Sequence, residues 1–258
     1  MDDLPAVLQA LPTMGFGFML VIARVGTALL TGPGLGENEI PATVRIALAV
    51  VLSALVYPLL QGGLPPLPET VPGLIGLIGL EIIVGAWLGF MTRILVMAIA
   101  MAGGIVSFMV GLSSVLQIDP SLGTQVPALQ RMMALASVAL LFMSGLYVLP
   151  IQAVVGSYDV IPPGGAFDAG GAAQLVTRVV ADSFGLALRL AAPFVITCMV
   201  WQAALGFVSR LVPNIQVHVI SAPAQILGGL ALLGVAISLI FANWSAHMQQ
   251  AFSSLPGL

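Results

Sequence analysis

The stretch GLIGLIGLEIIVGAWLGF at residues 73–90 carries a single charge, Glu81. A helix needs about 20 residues of this kind to cross the hydrocarbon core of a bilayer. The run continues past Arg93 towards Phe108, which is too long for one straight span. A tilted or broken helix is therefore expected, with Gly103-Gly104 as the break. Glu81, Gly85 and Gly89 recur at every fourth position, so a helix carries them on one narrow stripe. An acid above a pair of small residues on such a stripe favours close approach of a second helix.

Reading outward, five further apolar runs lie between charges and Pro/Gly clusters. They are Leu8–Leu30, interrupted by Arg24; Arg45–Leu60, ended by Gln61-Gly62-Gly63 and the proline-rich Leu64–Pro68; Leu129–Val155; Leu175–Phe207; and Val219–Phe241. Pro213 and Asn214 break the chain between the last two. Residues 156–171 are rich in glycine, proline and aspartate and are expected to form a connecting loop. No strand pattern emerges. The expectation is an all-α, polytopic membrane-type protein of about six long apolar helices, some broken, packed as helical hairpins. Residues 1–258 read as a single domain, with loop 156–171 between an N-terminal four-helix part and a C-terminal hairpin.

Composition agrees with this reading. Hydrophobic residues make up 59% of the 258 and charged residues 7%, against roughly 45–50% and about 25% in ordinary soluble domains. Lipid or partner protein must cover the excess apolar surface. All seven basic residues are arginine, and the net charge is −3, so no basic groove for nucleic acid exists. Cys198, the one cysteine, lies in an apolar run and reads as core packing. Neither His218 nor His247 has neighbouring ligands, so no metal site is expected. Catalytic motifs are absent, and Gly32-x-Gly34-x-Gly36, punctuated by Pro33, is a turn without the strand a phosphate loop requires. Neither a catalytic residue nor a cofactor is expected. The chain opens on Asp2 and Asp3 rather than a basic segment, and the first helix reads as retained.

The informative polar residues are Arg24, Glu81, Arg93, Asp182 and Arg189, since a central Arg or Asp costs about 2.5–3.5 kcal/mol on an insertion scale. Arg93 lies about 18 Å along the helix axis from Glu81, so the two need different partners. Snorkelling or pairing within the chain is one reading; pairing between subunits is the other. Arg178, Asp182 and Arg189 share a stripe that faces water or partners. Charge does not assign the orientation, because Arg45 lies in a short connection and other arginines lie within apolar runs. Residues 111–127 are polar and irregular between two apolar helices, a placement tolerated only inside protein or beside a cavity.

Several segments, taken in order, resemble the FliR family of flagellar type III export-gate subunits and its virulence-secretion counterpart. They are Arg24-Val25-Gly26 through Pro33-Gly34-Leu35-Gly36 to Ile40-Pro41 and Val44-Arg45, then Glu81–Gly85 with Leu88-Gly89-Phe90. Next come Ala102-Gly103-Gly104, Phe108–Leu112, Asp119-Pro120, Gly123–Pro127 and Ile161–Gly164. Leu190–Pro193, Arg210–Val217 and Ala222-Pro223 complete the match, which covers nearly the whole chain. The resemblance implies a non-enzymatic passage for unfolded flagellar proteins, built with FliP-like and FliQ-like subunits, beside a FlhB-like subunit, in the inner membrane at the flagellar basal body. It implies a plug formed by Phe108, Met109, Val110, Gly111, Leu112, Gln117, Asp119, Pro120 and Gln125. Arg24, Glu81, Gly85, Gly89, Arg93, Asp182, Arg189 and Arg210 are the candidates for helix contact and charge pairing. Membrane lipid is the expected surrounding, and nucleic acid is not a partner. Alternatives are the equivalent virulence-system subunit, a secondary transporter using Glu81 or Asp182, and a membrane scaffold.

Overall fold

The computed structural model describes residues 4–36, 40–112, 126–211 and 217–257. Among these the chain is helical, with no strand. The helices are α1 (Leu4–Thr31), α2 (Ala42–Leu60), α3 (Val71–Val110), α4 (Ala128–Met143), α5 (Val148–Val160), α6 (Ala169–Leu211) and α7 (Val217–Phe252). A 3-10 turn at Gln61–Gly63 follows α2 where the Gln-Gly-Gly breaker is read. Five of the described helices are long and apolar enough to cross a membrane, or six if α4 and α5 count as one broken span. The expected all-α, membrane-type architecture holds.

Several expected boundaries move, each for an identifiable reason. The expected break at Gly103-Gly104 is absent, and α3 runs unbroken for 40 residues. These glycines admit α4: a Cβ on Gly103 would lie 2.9 Å from Met133 Cγ, and one on Gly104 2.9 Å from Gln130 Oε1. Glycine inside a helix costs about 1 kcal/mol relative to alanine, and close helix packing offsets it here. The run Leu129–Val155 is two helices, because the chain turns at residues 144–147, where Gly145 adopts φ +74°. The Ser144 hydroxyl donates to the Leu140 carbonyl at 2.6 Å, closing α4.

The connection expected at 156–171 shrinks to 161–168. At its start, Gly156 lies against the Gly257 backbone near the end of the chain, where a Cβ would collide, and α5 continues through Val160. At its end, the Asp168 carboxylate accepts the Gly170 amide at 3.0 Å. That N-cap starts α6 six residues earlier than the apolar run. Arg45 sits in the first turn of α2 rather than in a connection.

The chain forms two compact units that interleave in sequence, one of residues 1–94, 145–179 and 250–258, the other of residues 95–144 and 180–249. Long helices α3 and α6 contribute to both. In the first unit, Leu20, Val21, Val25, Val84 and Leu88 are buried where α1 meets its neighbours. Gly85 and Gly89 of α3 face α1 so closely that a Cβ on either would strike α1 backbone, the Arg24 carbonyl oxygen in one case and that of Ala28 in the other. Thr27 and Thr31 bond back to their own helix at 2.5 and 2.7 Å and lie within 3.5 Å of the Ile82 and Ala86 carbonyls. The second unit buries Ile99, Ala187, Ala191, Phe194 and Trp244.

Because the obstacle at Gly85 and Gly89 is backbone, Gly85→Leu and Gly89→Leu are expected to destabilise the purified protein by at least the roughly 1–3 kcal/mol typical of overpacking. Gly79→Leu, with open space around it, should not. Thermal unfolding in mild detergent separates them; equal midpoints for all three would make the glycine contact incidental.

Candidate functional site

Two polar constructions stand out, one in each unit. In the first, Arg24 of α1 and Glu81 of α3 are both 0% exposed. Arg24 donates from Nε to Glu81 Oε2 at 2.6 Å and from Nη2 to Oε1 at 3.0 Å, a two-point pairing that engages both carboxylate oxygens. Its remaining nitrogen, Nη1, reaches the Ile161 carbonyl at 2.9 Å and both the carbonyl and the hydroxyl of Ser157 at 3.3 Å. The guanidinium carbon lies 4.1 Å from the centre of the Tyr158 ring.

The chemistry explains the convergence. A buried guanidinium is tolerated only when paired and hydrogen-bonded. Glu81 supplies the counter-charge. Ser157 and Ile161 lie at the C-terminal end of α5, where carbonyls carry partial negative charge; the Ser157 carbonyl also accepts the Ile161 amide at 2.8 Å. One side chain therefore ties α1, α3 and the end of α5 together. Nearby, the Trp87 indole of α3 donates to the Ala172 carbonyl at 3.4 Å and stacks edge-on against Phe167, fixing the start of α6 and the loop before it.

The remaining charge candidates are elsewhere. Arg93 is half-buried beside Gly36. Asp182 and Arg189 are exposed on α6, as is Arg210 in its last turn. Of the two readings left open for Arg24 and Glu81, pairing within the chain is the one observed. Ile161 opens one of the segments that carry the resemblance, but neither it nor Ser157 was legible as an acceptor, because the acceptors are mostly backbone carbonyls, which any residue possesses.

In the second unit, α3 ends at the glycine expected in the plug. Gly111 adopts φ +88° and donates its amide to the Phe108 carbonyl at 3.2 Å, a left-handed terminus that glycine accommodates without a Cβ clash. The Met109 carbonyl, freed by the helix end, accepts the Gln225 amide at 2.8 Å and the Cys198 thiol at 3.2 Å. Gln202 in turn donates to Gln225 at 3.3 Å. Cys198, expected to be core packing alone, is a half-buried donor at this junction. Val110 is buried against Gly229, Leu112 is half-buried, and Phe108 is 70% exposed. Beside them runs a largely apolar groove of about 390 Å³ lined by Met109, Val110, Phe194, Trp201, Gly228 and Leu232. Gln117, Asp119, Pro120 and Gln125 lie outside the described residues. Among the described residues no three His, Cys, Asp or Glu side chains gather as a metal site.

Two variants test the ion pair. Glu81→Gln strands a buried guanidinium and is expected to cost about 3–5 kcal/mol, whereas the double change Arg24→Met, Glu81→Leu should cost much less than the sum of its single changes. Denaturation midpoints in detergent measure the coupling; simple additivity would mean that the pair contributes no interaction of its own.

Comparison with known proteins bears on what this framework serves. The model of the bacterial export proteins, family 1, matches residues 16–251. The flagellar biosynthetic protein FliR of Caulobacter vibrioides is 33% identical over 90% of this chain and 92% of its own length. That of Bacillus subtilis is 29% identical over 87% of each chain. The Escherichia coli protein of the same name is 26% identical over 85% of this chain and 83% of its own. With the family model spanning most of its residues and a one-third-identical relative aligned along nearly all of it, the chain belongs to the FliR family of bacterial export proteins.

Proposed function

We propose that this protein is a subunit of the flagellar type III export gate, forming with FliP-like and FliQ-like subunits the passage through which unfolded flagellar proteins leave the cytoplasm. The observation that carries this reading is the apolar surface the chain leaves uncovered. Only 6% of the apolar window of α7 is buried, and Gly185, Gly206, Gly228 and Gly234 of α6 and α7 have open space where a side chain would be. Small residues on apolar helices let another helix approach closely. Such surfaces call for partner subunits rather than a self-contained bundle. The names of the relatives speak of flagellar biosynthesis, and on this reading the chain sits in the inner membrane at the basal body, beside a FlhB-like subunit.

The reading extends to role and organisation. The protein acts as a single export-gate domain rather than an enzyme. The plug is residues 108–125, entered through the exposed Phe108 and the helix-ending Gly111. Apolar Phe108, Met109 and Leu112 close the passage by excluding water, as hydrophobic constrictions do. A proton-coupled transporter is disfavoured at Glu81, since both of its oxygens are held by Arg24.

Two outcomes are expected. Co-expression with the FliP-like and FliQ-like subunits should convert a heterogeneous preparation into a defined particle, because a partner that binds the folded form stabilises it; a monodisperse, stable monomer in mild detergent would contradict this. Shortening residues 111–125 should leave the particle assembled on native gels yet let ions or dye enter the cell. Wild-type tightness in a normally assembled variant would remove the plug assignment.

A further inference from the structure

Helix α2 differs from the surfaces just described. It holds no glycine, and its small inward residues Ala49 and Ser53 are buried, with Gly26 of α1 opposite Ala49. Its outward ridge is large and branched: Val44, Leu48, Val51, Leu55 and Leu59 recur at three- and four-residue steps and are all exposed, with the smaller Ala47 and Ala54 exposed on its flank. Only 17% of its apolar window is buried. Helices that dock in membranes present small residues, so a face of large aliphatics without glycine suits acyl chains better than another helix. Nineteen residues span about 28 Å, close to the hydrocarbon thickness of about 30 Å.

Arg45 stands one turn into α2, at the edge of this ridge and one turn before the inward Ala49. It is half-buried, its Nε is screened from solvent without a hydrogen-bond partner, and it forms no ion pair among the described residues. Helix stability does not account for it, because a cation in the first turn opposes the helix dipole by about 0.3–1 kcal/mol. A cation at one end of a membrane-length apolar helix stands at headgroup level. A phosphate there would neutralise the guanidinium and also meet the positive end of the helix dipole.

We infer that α2 faces lipid and that Arg45 binds the phosphate of an anionic phospholipid whose acyl chains lie along Leu48, Leu55 and Leu59. One molecule thereby satisfies both the unpartnered cation and the uncovered aliphatic face. This inference stands apart from the export role and holds whether or not the plug assignment survives.

Native mass spectrometry of the purified protein, titrated with phosphatidylglycerol or phosphatidylcholine, tests it. The wild type should retain phosphatidylglycerol about fivefold better, the equivalent of about 1 kcal/mol for one basic residue near an anionic surface. Arg45→Gln should abolish that preference with an unchanged melting temperature. Arg45→Lys should keep most of it, and Arg178→Gln, on the exposed face of α6, should keep all of it. No preference in the wild type, the same preference in Arg45→Gln, or equal losses in Arg45→Gln and Arg178→Gln would each overturn the proposal. So would Arg45→Gln breaking co-purification with partner subunits in lipid-free detergent while the lipid preference stays intact, since the face would then belong to protein.

Discussion

A guanidinium with no access to water must find every partner inside the protein, and Arg24 finds them on two other helices. Glu81 answers its charge, and the end of α5 answers its remaining nitrogen. These short bonds require α1 and α3 to run close together. Gly85 and Gly89, one and two turns beyond Glu81, remove the side chains that would keep them apart. The polar centre and the glycine stripe are two parts of one constraint. Neither would work alone: the pair needs near contact, and near contact without the pair would leave both helices free to slide.

The second unit meets the same difficulty differently. A helix that ends among apolar neighbours exposes carbonyls with no partner, and α3 ends that way. Gln225 and Cys198 satisfy the Met109 carbonyl, while Gly111 turns the chain out of the helix. The terminus is thereby held firmly enough that exposed Phe108 projects from a fixed base. If residues 108–125 occlude a passage, α6 and α7 anchor their first residues through two hydrogen bonds to the Met109 carbonyl and the packing of Val110 against Gly229.

Much of this architecture was legible in the sequence, and the misses share a cause. Composition, run length and the Gln61–Gly63 breaker gave the class and several helix ends, because those depend on local chemistry. Gly103-Gly104 looked like a break and is a contact, since intrinsic propensity cannot reveal that Met133 and Gln130 need the space. Asp168 extends α6 into a stretch that reads as loop, because a single capping carboxylate outweighed the glycines after it. The need of Arg24 and Glu81 for partners was readable from their cost in an apolar run. Their mutual pairing was not, being 57 residues distant in sequence and completed by backbone carbonyls. Gln225 and Gln202 escaped notice because a lone amide on an apolar helix carries no spacing signal.

The central claim of the proposal is that exported polypeptide passes the end of α3, whereas α2 faces lipid. Site-specific photo-cross-linking from positions 108 and 55, in cells whose export substrate is stalled in transit by a folded fusion, addresses it directly. The account requires a cross-link between the substrate and the probe replacing Phe108, and none from the probe replacing Leu55. Absence of the first, or equal labelling from both positions in an assembled gate, would contradict it.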